Sequence, residues 1–199
     1  MPADRLAQQI AFLLEADKLK TVIRRTPLVD ASRRENSAEH SWHLVLAAMI
    51  LREHAAADVD LPRVIEMLAV HDLVEIDAGD TFAYDATHQL TKDDREAAAA
   101  DRLFPMLPPD QAKRLRALWE EFEAGETPDA RFASALDRLQ PLLQNAGARG
   151  GSWRDYDVNR GQVLRRMAPI ESALPAAWPI VLKIVEDFCA SGVLRREQQ

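Results

Sequence analysis

The residues best suited to chemistry lie in Val64-Ile-Glu-Met-Leu-Ala-Val-His71-Asp72-Leu-Val-Glu75-Ile-Asp77. Ile65 and Leu68 mark the apolar stripe of a helix, and steps of three or four along it reach Asp72, then Glu75 or Ile76. Asp72 and Glu75 therefore take positions the pattern assigns to the interior, with His71 beside them. A buried carboxylate is costly unless it is paired, hydrogen-bonded or bound to metal. Imidazole beside carboxylate oxygens is a ligand set for a divalent ion. Taken alone, a His-Asp pair also suits the surface of a helix, so the rest of the chain must discriminate. In Ser37-Ala38-Glu39-His40-Ser41-Trp42-His43 the turns that follow are apolar, so His40 or His43 faces inward near the start of that helix. Asp137, in Phe132-Ala-Ser-Ala-Leu-Asp137-Arg-Leu-Gln, is a lone acid in an apolar helix start.

Helices must carry these residues. Apolar spacing predicts helices over 4–20 (Leu6, Ile10, Leu13, Leu14), over 37–56 with Ser37 as N-cap, and over 62–78 with Pro62 in the first turn. Turn chemistry marks 79–91 as a loop. Further helices are predicted over 92–104 behind Thr91, 109–124, 128–146 with Pro141 inside, 157–172 and 176–191. Strand-like alternation is almost absent, so the fold class is all-α, with six to eight helices.

Composition agrees with a soluble globular domain. The chain has 199 residues, 47% hydrophobic and 29% charged, enough for one core. The single cysteine, Cys189, excludes a disulfide within the chain and a Cys-based zinc site. A net charge of −7 disfavours a nucleic-acid polymer as partner. The longest apolar run, 44–51, is too short to span a bilayer. No secretory signal is visible, and a cytoplasmic location is expected.

Taken in order, His40, His71-Asp72 and Asp137 resemble the signature of the HD superfamily of metal-dependent phosphohydrolases. The chain is most similar to the 5′-deoxynucleotidase-like branch, which acts on nucleoside monophosphates. The phrases that carry the resemblance are Glu35-Asn-Ser-Ala-Glu39-His40-Ser41, His71-Asp72-Leu-Val-Glu75, Gly79-Asp80 and Ala135-Leu-Asp137-Arg-Leu-Gln, with Leu118-Trp-Glu-Glu-Phe-Glu123 between the last two. It implies one HD domain over 1–199, with core motifs in 19–143 and C-terminal helices in 152–191 packed on it. It makes His40, His71, Asp72 and Asp137 the ligands of one divalent ion, of the Mn²⁺, Co²⁺, Fe²⁺, Zn²⁺ or Ni²⁺ class. Glu75 is close enough in sequence to act as general base or acid, or to orient the water, and the resemblance makes Asp80 a second functional acid.

A basic run holds Lys18, Lys20, Arg24, Arg25, Arg33 and Arg34 just before His40. The family pattern selects Arg25 to contact phosphate and places Thr26 where the best-known branch has a tryptophan against the sugar. The implied activity is hydrolysis of a (deoxy)nucleoside 5′-monophosphate to nucleoside and phosphate. The alternatives are another small phosphate ester, a nucleotide pyrophosphate, or a regulatory module that binds metal and nucleotide without turnover. A homodimer is carried over from the family. His43 is expected to support a ligand rather than be one. His54 is expected to be structural. His88 is the only histidine between the His-Asp pair and Asp137, which disfavours a dinuclear site.

Overall fold

The computed structural model describes residues 2–196. The chain opens with α1 (Pro2–Ala16) and a 3-10 turn, then a hairpin of β1 (Ile23–Pro27) and β2 (Arg34–Asn36). Helix α2 (Ser37–Leu51) follows, then α3 (Leu61–Val70), α4 (Glu75–Ala78), α5 (Ala86–Gln89), α6 (Lys92–Leu103) and α7 (Pro109–Ala124). Helices α8 (Pro128–Gly147), α9 (Gly151–Asp155), α10 (Arg160–Ala173) and α11 (Trp178–Ala190) complete it. The all-α expectation holds apart from the one small antiparallel hairpin. The short helices α4, α5 and α9 raise the number above the six to eight expected.

Helix α8 organises the core. It packs against α2, α3, α7 and α10, and α11 also touches it. Leu44 and Ala48 of α2, Val64, Met67 and Leu68 of α3, Ala133 and Leu136 of α8 and Ile170 of α10 are fully buried between these helices. Each large side chain among them contributes roughly 1.5–3 kcal/mol by leaving water.

Helix starts follow capping chemistry, with one change from the sequence reading. Asn36, not Ser37, caps α2: its side chain accepts from the Glu39 N–H, and the Glu39 side chain accepts from the Asn36 N–H. Ser37 is thereby freed for the site. Thr127 caps α8 by accepting from the Ala130 N–H. Pro141 inside α8 has no N–H to give to the carbonyl four residues back, that of Asp137.

The predicted helix over 62–78 is interrupted. Residues 71–74 form tight turns between α3 and α4. His71, Asp72, Leu73, Val74 and Glu75 are buried in succession, which no continuous surface helix allows. Gly79 ends α4 at φ +72°, a left-handed conformation that favours glycine, and turns the chain so that Asp80 returns to the site. The apolar stripe whose spacing predicted α1 faces outward: Leu6, Ile10, Leu13 and Leu14 are exposed, while Phe12 is buried.

Candidate active site

The first turn of α2, the break after α3, the middle of α8 and strand β1 converge on one cluster. His40 is fully buried, with Nε2 3.0 Å from Asp137 Oδ1 and Nδ1 3.0 Å from Gln140 Oε1. Glu35 Oε1 accepts from Gln140 Nε2 at 2.8 Å and from Gln144 Nε2 at 2.7 Å, so His40 is held by a buried amide–carboxylate network. His43 lies behind this network, its Nδ1 3.1 Å from Gln140 Nε2.

His71 Nδ1 lies 2.8 Å from the Leu68 carbonyl oxygen. That oxygen can only accept, so Nδ1 carries a proton and, in the neutral ring, Nε2 presents a lone pair. Nε2 is buried without a hydrogen-bond partner and faces Asp72 Oδ1 at 3.1 Å. Two lone pairs set so close repel each other unless a cation lies between or beside them. Ligand atoms of His40, His71 and Asp72 all fall within 4.8 Å of one another. Asp137 joins them through His40, while its Oδ2 takes Arg166 Nη2 at 3.3 Å. The donor set and the orphaned Nε2 fit a divalent cation.

Charge in the cluster is strongly coupled. Burial, and then Arg24, push the His40 imidazolium down, but Asp137, Glu35 and Asp72 outweigh them and bring its pKa up to about 9. Burial alone would raise Asp137, yet the hydrogen bond with His40 and the charge of Arg166 hold it well below the carboxylate range. Glu75 goes the other way: burial first, then the charge of Asp72, push it well above the usual carboxylate value. Its Oε2 accepts a 2.5 Å hydrogen bond from Ser37 Oγ. Asp80 is also raised, mainly by burial.

Of the basic run before His40, it is Arg24, passed over for Arg25 in the sequence, whose guanidinium reaches the cluster. Its Nη1 lies 2.9 Å from Asp72 Oδ2, 3.7 Å from Asp80 Oδ1 and 3.8 Å from Glu75 Oε1, and its Nε is 3.8 Å from Glu35 Oε2. Burial opposes its charge, but the surrounding acids, Asp72 first, outweigh that and keep it protonated. Arg25, selected from the family spacing, is exposed instead, its guanidinium 5.7 Å from the centre of the Tyr156 ring. Neighbours on a strand point to opposite faces, so only one of the pair can enter the cluster. The usable signal was strand geometry, which the short irregular hairpin hides.

The cluster opens into a cavity of about 650 Å³ between α8, α10 and the 79–96 segment. A smaller adjoining cavity of about 70 Å³ is lined by Arg25, the buried Thr26, Phe82, Tyr84 and Trp153. His88 sits outside both, exposed and paired with Asp85 at 2.7 Å, and His54 is exposed after α2.

Residues 16–178 match the model of a family described as HD domain. The human protein named 5′-deoxynucleotidase HDDC2 is 29% identical over 136 residues, covering 68% of this chain and 65% of its own length. Its Bos taurus counterpart is 30% identical over 137 residues, with the same shares of 68% and 65%. A crystal structure from Magnetospirillum magnetotacticum MS-1, titled a predicted metal-dependent phosphohydrolase, is 50% identical. It superposes with a TM-score of 0.90 over 96% of this chain and 98% of its own. A conserved hypothetical protein from Pyrococcus furiosus shares the fold at TM-score 0.64 and 21% identity, over 89% of this chain and 97% of its own.

Proposed function

This chain belongs to the HD-domain family, and on that premise we propose that it hydrolyses (deoxy)nucleoside 5′-monophosphates to nucleoside and phosphate. The observation that carries the reading is the buried His40–His71–Asp72 cluster, with its orphaned His71 Nε2, set beside the Arg24 guanidinium at the floor of a ligand-sized cavity.

His40, His71, Asp72 and Asp137 would hold one divalent ion. When bound, such an ion supplies Lewis-acid polarisation of the phosphoryl group and a more acidic water. Arg24 would grip the phosphate oxygens through its planar fork, a geometry that lysine lacks. Glu75, kept protonated more easily than an ordinary carboxyl, would hand its proton to the departing 5′ oxygen. Ser37 fixes the orientation of Glu75, leaving Oε1 toward Arg24 and the cavity. Asp80 would orient the sugar side of the substrate. Thr26 and Arg25 would line the sugar end through the smaller cavity. Burial of these side chains at the cavity floor lowers the local dielectric and strengthens each of these interactions.

The test is phosphate release from a panel of NMPs, dNMPs and simple phosphate esters, each with several divalent metals. The reading expects 5′-monophosphates to lead the panel. Equal or greater release from non-nucleoside esters counts against it.

We further propose a single domain over the whole chain that acts in the cytoplasm as a homodimer. No helix among the described residues is long and apolar enough to cross a membrane. Leu6, Ile10, Leu13 and Leu14 of α1, and Trp42, Leu46, Met49 and Ile50 of α2, form exposed apolar stripes with the same i, i+4, i+7, i+8 spacing. A second copy would bury them symmetrically. Light scattering should give twice the chain mass, and a Leu13→Glu, Met49→Glu double variant should give a monomer.

A further inference from the structure

One wall of the large cavity gathers three arginines on two neighbouring helices. Arg131, Ser134 and Arg138 follow one face of α8 at i, i+3 and i+7, and all line the cavity. Arg166 of α10 lines it beside them. Arg138 is only partly exposed, and its Nη1 donates to the Ser134 carbonyl at 2.8 Å and to the Ser134 hydroxyl. Its Nε is buried and has no hydrogen-bond partner. Among the described residues no carboxylate lies within ion-pair distance of Arg138, whereas Arg166 is engaged by Asp137 at 3.3 Å. Across the cavity Glu96 and Glu123 are held by Lys92, at 2.8 Å and 3.1 Å. Burial first, and then the like charge of Arg166, disfavour the Arg138 cation more than Asp137 and Glu123 favour it from beyond ion-pair distance. A half-buried guanidinium beside a second one, with a bare N–H and no carboxylate paired to it, is unfavourable unless an anion completes it.

The geometry points to a second phosphate subsite on this wall, formed by Arg138, Arg166 and Ser134 with Arg131 at the mouth. It takes a second phosphoryl group carried by the substrate. This rests on the phosphomonoesterase reading above and narrows the substrate to a nucleotide with two phosphates. Arg138 reaches back toward Ser134 on the cavity face of α8, so its guanidinium is offset from the His40–His71–Asp72 cluster rather than part of it. That offset suits phosphates on two different hydroxyls of one sugar, with the scissile one at Arg24 and the other at Arg138. Hydrolysis itself is unchanged: water attacks the phosphorus at the cluster, the P–O bond to the sugar breaks, and the sugar oxygen leaves with a proton.

The test uses the metal-loaded full chain with adenosine 5′-monophosphate and adenosine 3′,5′-bisphosphate. Both kcat/KM for phosphate release and dissociation constants from calorimetry are measured. The wild type should favour the bisphosphate by roughly tenfold or more, the scale of one charge-assisted contact. Arg138→Gln should reduce that ratio to about threefold or less, and Ser134→Ala, which removes the hydroxyl anchor of the guanidinium and leaves the carbonyl one, should lower it by roughly threefold. If Arg138→Gln fails to fold, the Ser134→Ala ratio decides. A wild-type ratio near one, or a ratio that survives both substitutions, overturns the subsite. Absence of release from both nucleotides would instead sink the nucleotidase reading, and the dissociation constants would then judge the subsite alone. Inorganic phosphate should inhibit wild type and Arg138→Gln alike. Inhibition confined to the wild type would assign the wall to free phosphate and contradict a substrate-borne group.

Discussion

Replacing Arg24 should separate the two adjacent arginines decisively. Its guanidinium is the cation set among Asp72, Asp80, Glu75 and Glu35, at 2.9 to 3.8 Å. If it grips phosphate through two charge-assisted hydrogen bonds of about 1.5–3 kcal/mol each, Arg24→Ala removes roughly 3–6 kcal/mol of transition-state binding. That is a fall of about a hundredfold to ten-thousandfold in kcat/KM. Arg24→Lys keeps the charge but loses the fork, and should recover part of the loss. Arg25 is exposed over Tyr156, a contact of about 0.5–1 kcal/mol, so Arg25→Ala should cost less than about fivefold. The assay is phosphate release from dAMP, with metal content measured on the same samples. Bound metal should persist in Arg24→Ala, because removing a cation beside Asp72 does not weaken that ligand. A larger loss in Arg25→Ala than in Arg24→Ala refutes the assignment.

Glu75→Ala should cut turnover by roughly a hundredfold or more while keeping the metal, whereas Asp137→Ala should lose metal and melting temperature together. Metal analysis beside a turnover assay reads both, and near-normal turnover in Glu75→Ala would pass the proton-handling role to Asp80. Thr26→Trp should raise the preference for dNMP over NMP, read as a ratio of kcat/KM values, because a larger ring would crowd the sugar end of the small cavity. An unchanged ratio would remove Thr26 from the sugar site. With the metal chelated, His40 has a folded pKa of about 9 against an ordinary 6.5, so its imidazolium stabilises the fold fully below pH 6.5. That contribution is lost as pH rises through about 9. Thermal melts of chelated protein should therefore fall over this interval while those of metal-loaded protein should not, since a ligating His40 is already neutral.

The helical frame was legible because apolar spacing and capping residues act locally. His40, Asp72, Glu75 and Asp137 stood out as polar groups on apolar helical faces, and the structure gathers them with His71. Arg24 did not stand out. The hairpin that inverts it relative to Arg25 is short, with a register irregularity between Ile23 and Pro27, and shows no alternating pattern. The break at 71–74 was hidden for a related reason: the apolar residues on both sides suit one long helix, and only tertiary packing shows that five successive residues turn inward. Ser37 looked like a cap because its type suits one, but Asn36 had the matching Glu39. The exposed faces of α1 and α2 carry the same periodicity as a buried helix, and periodicity does not say what lies against a face.

Stepwise reloading of chelated protein with a single divalent metal tests the central claim most directly. Phosphate release from dAMP and bound metal are followed together as Mn²⁺ or Co²⁺ is added. The account predicts negligible release without metal, a linear rise with metal bound, and saturation at about one ion per chain, abolished in His71→Ala. Full turnover by the chelated protein, or activity that requires two ions per chain, would contradict it.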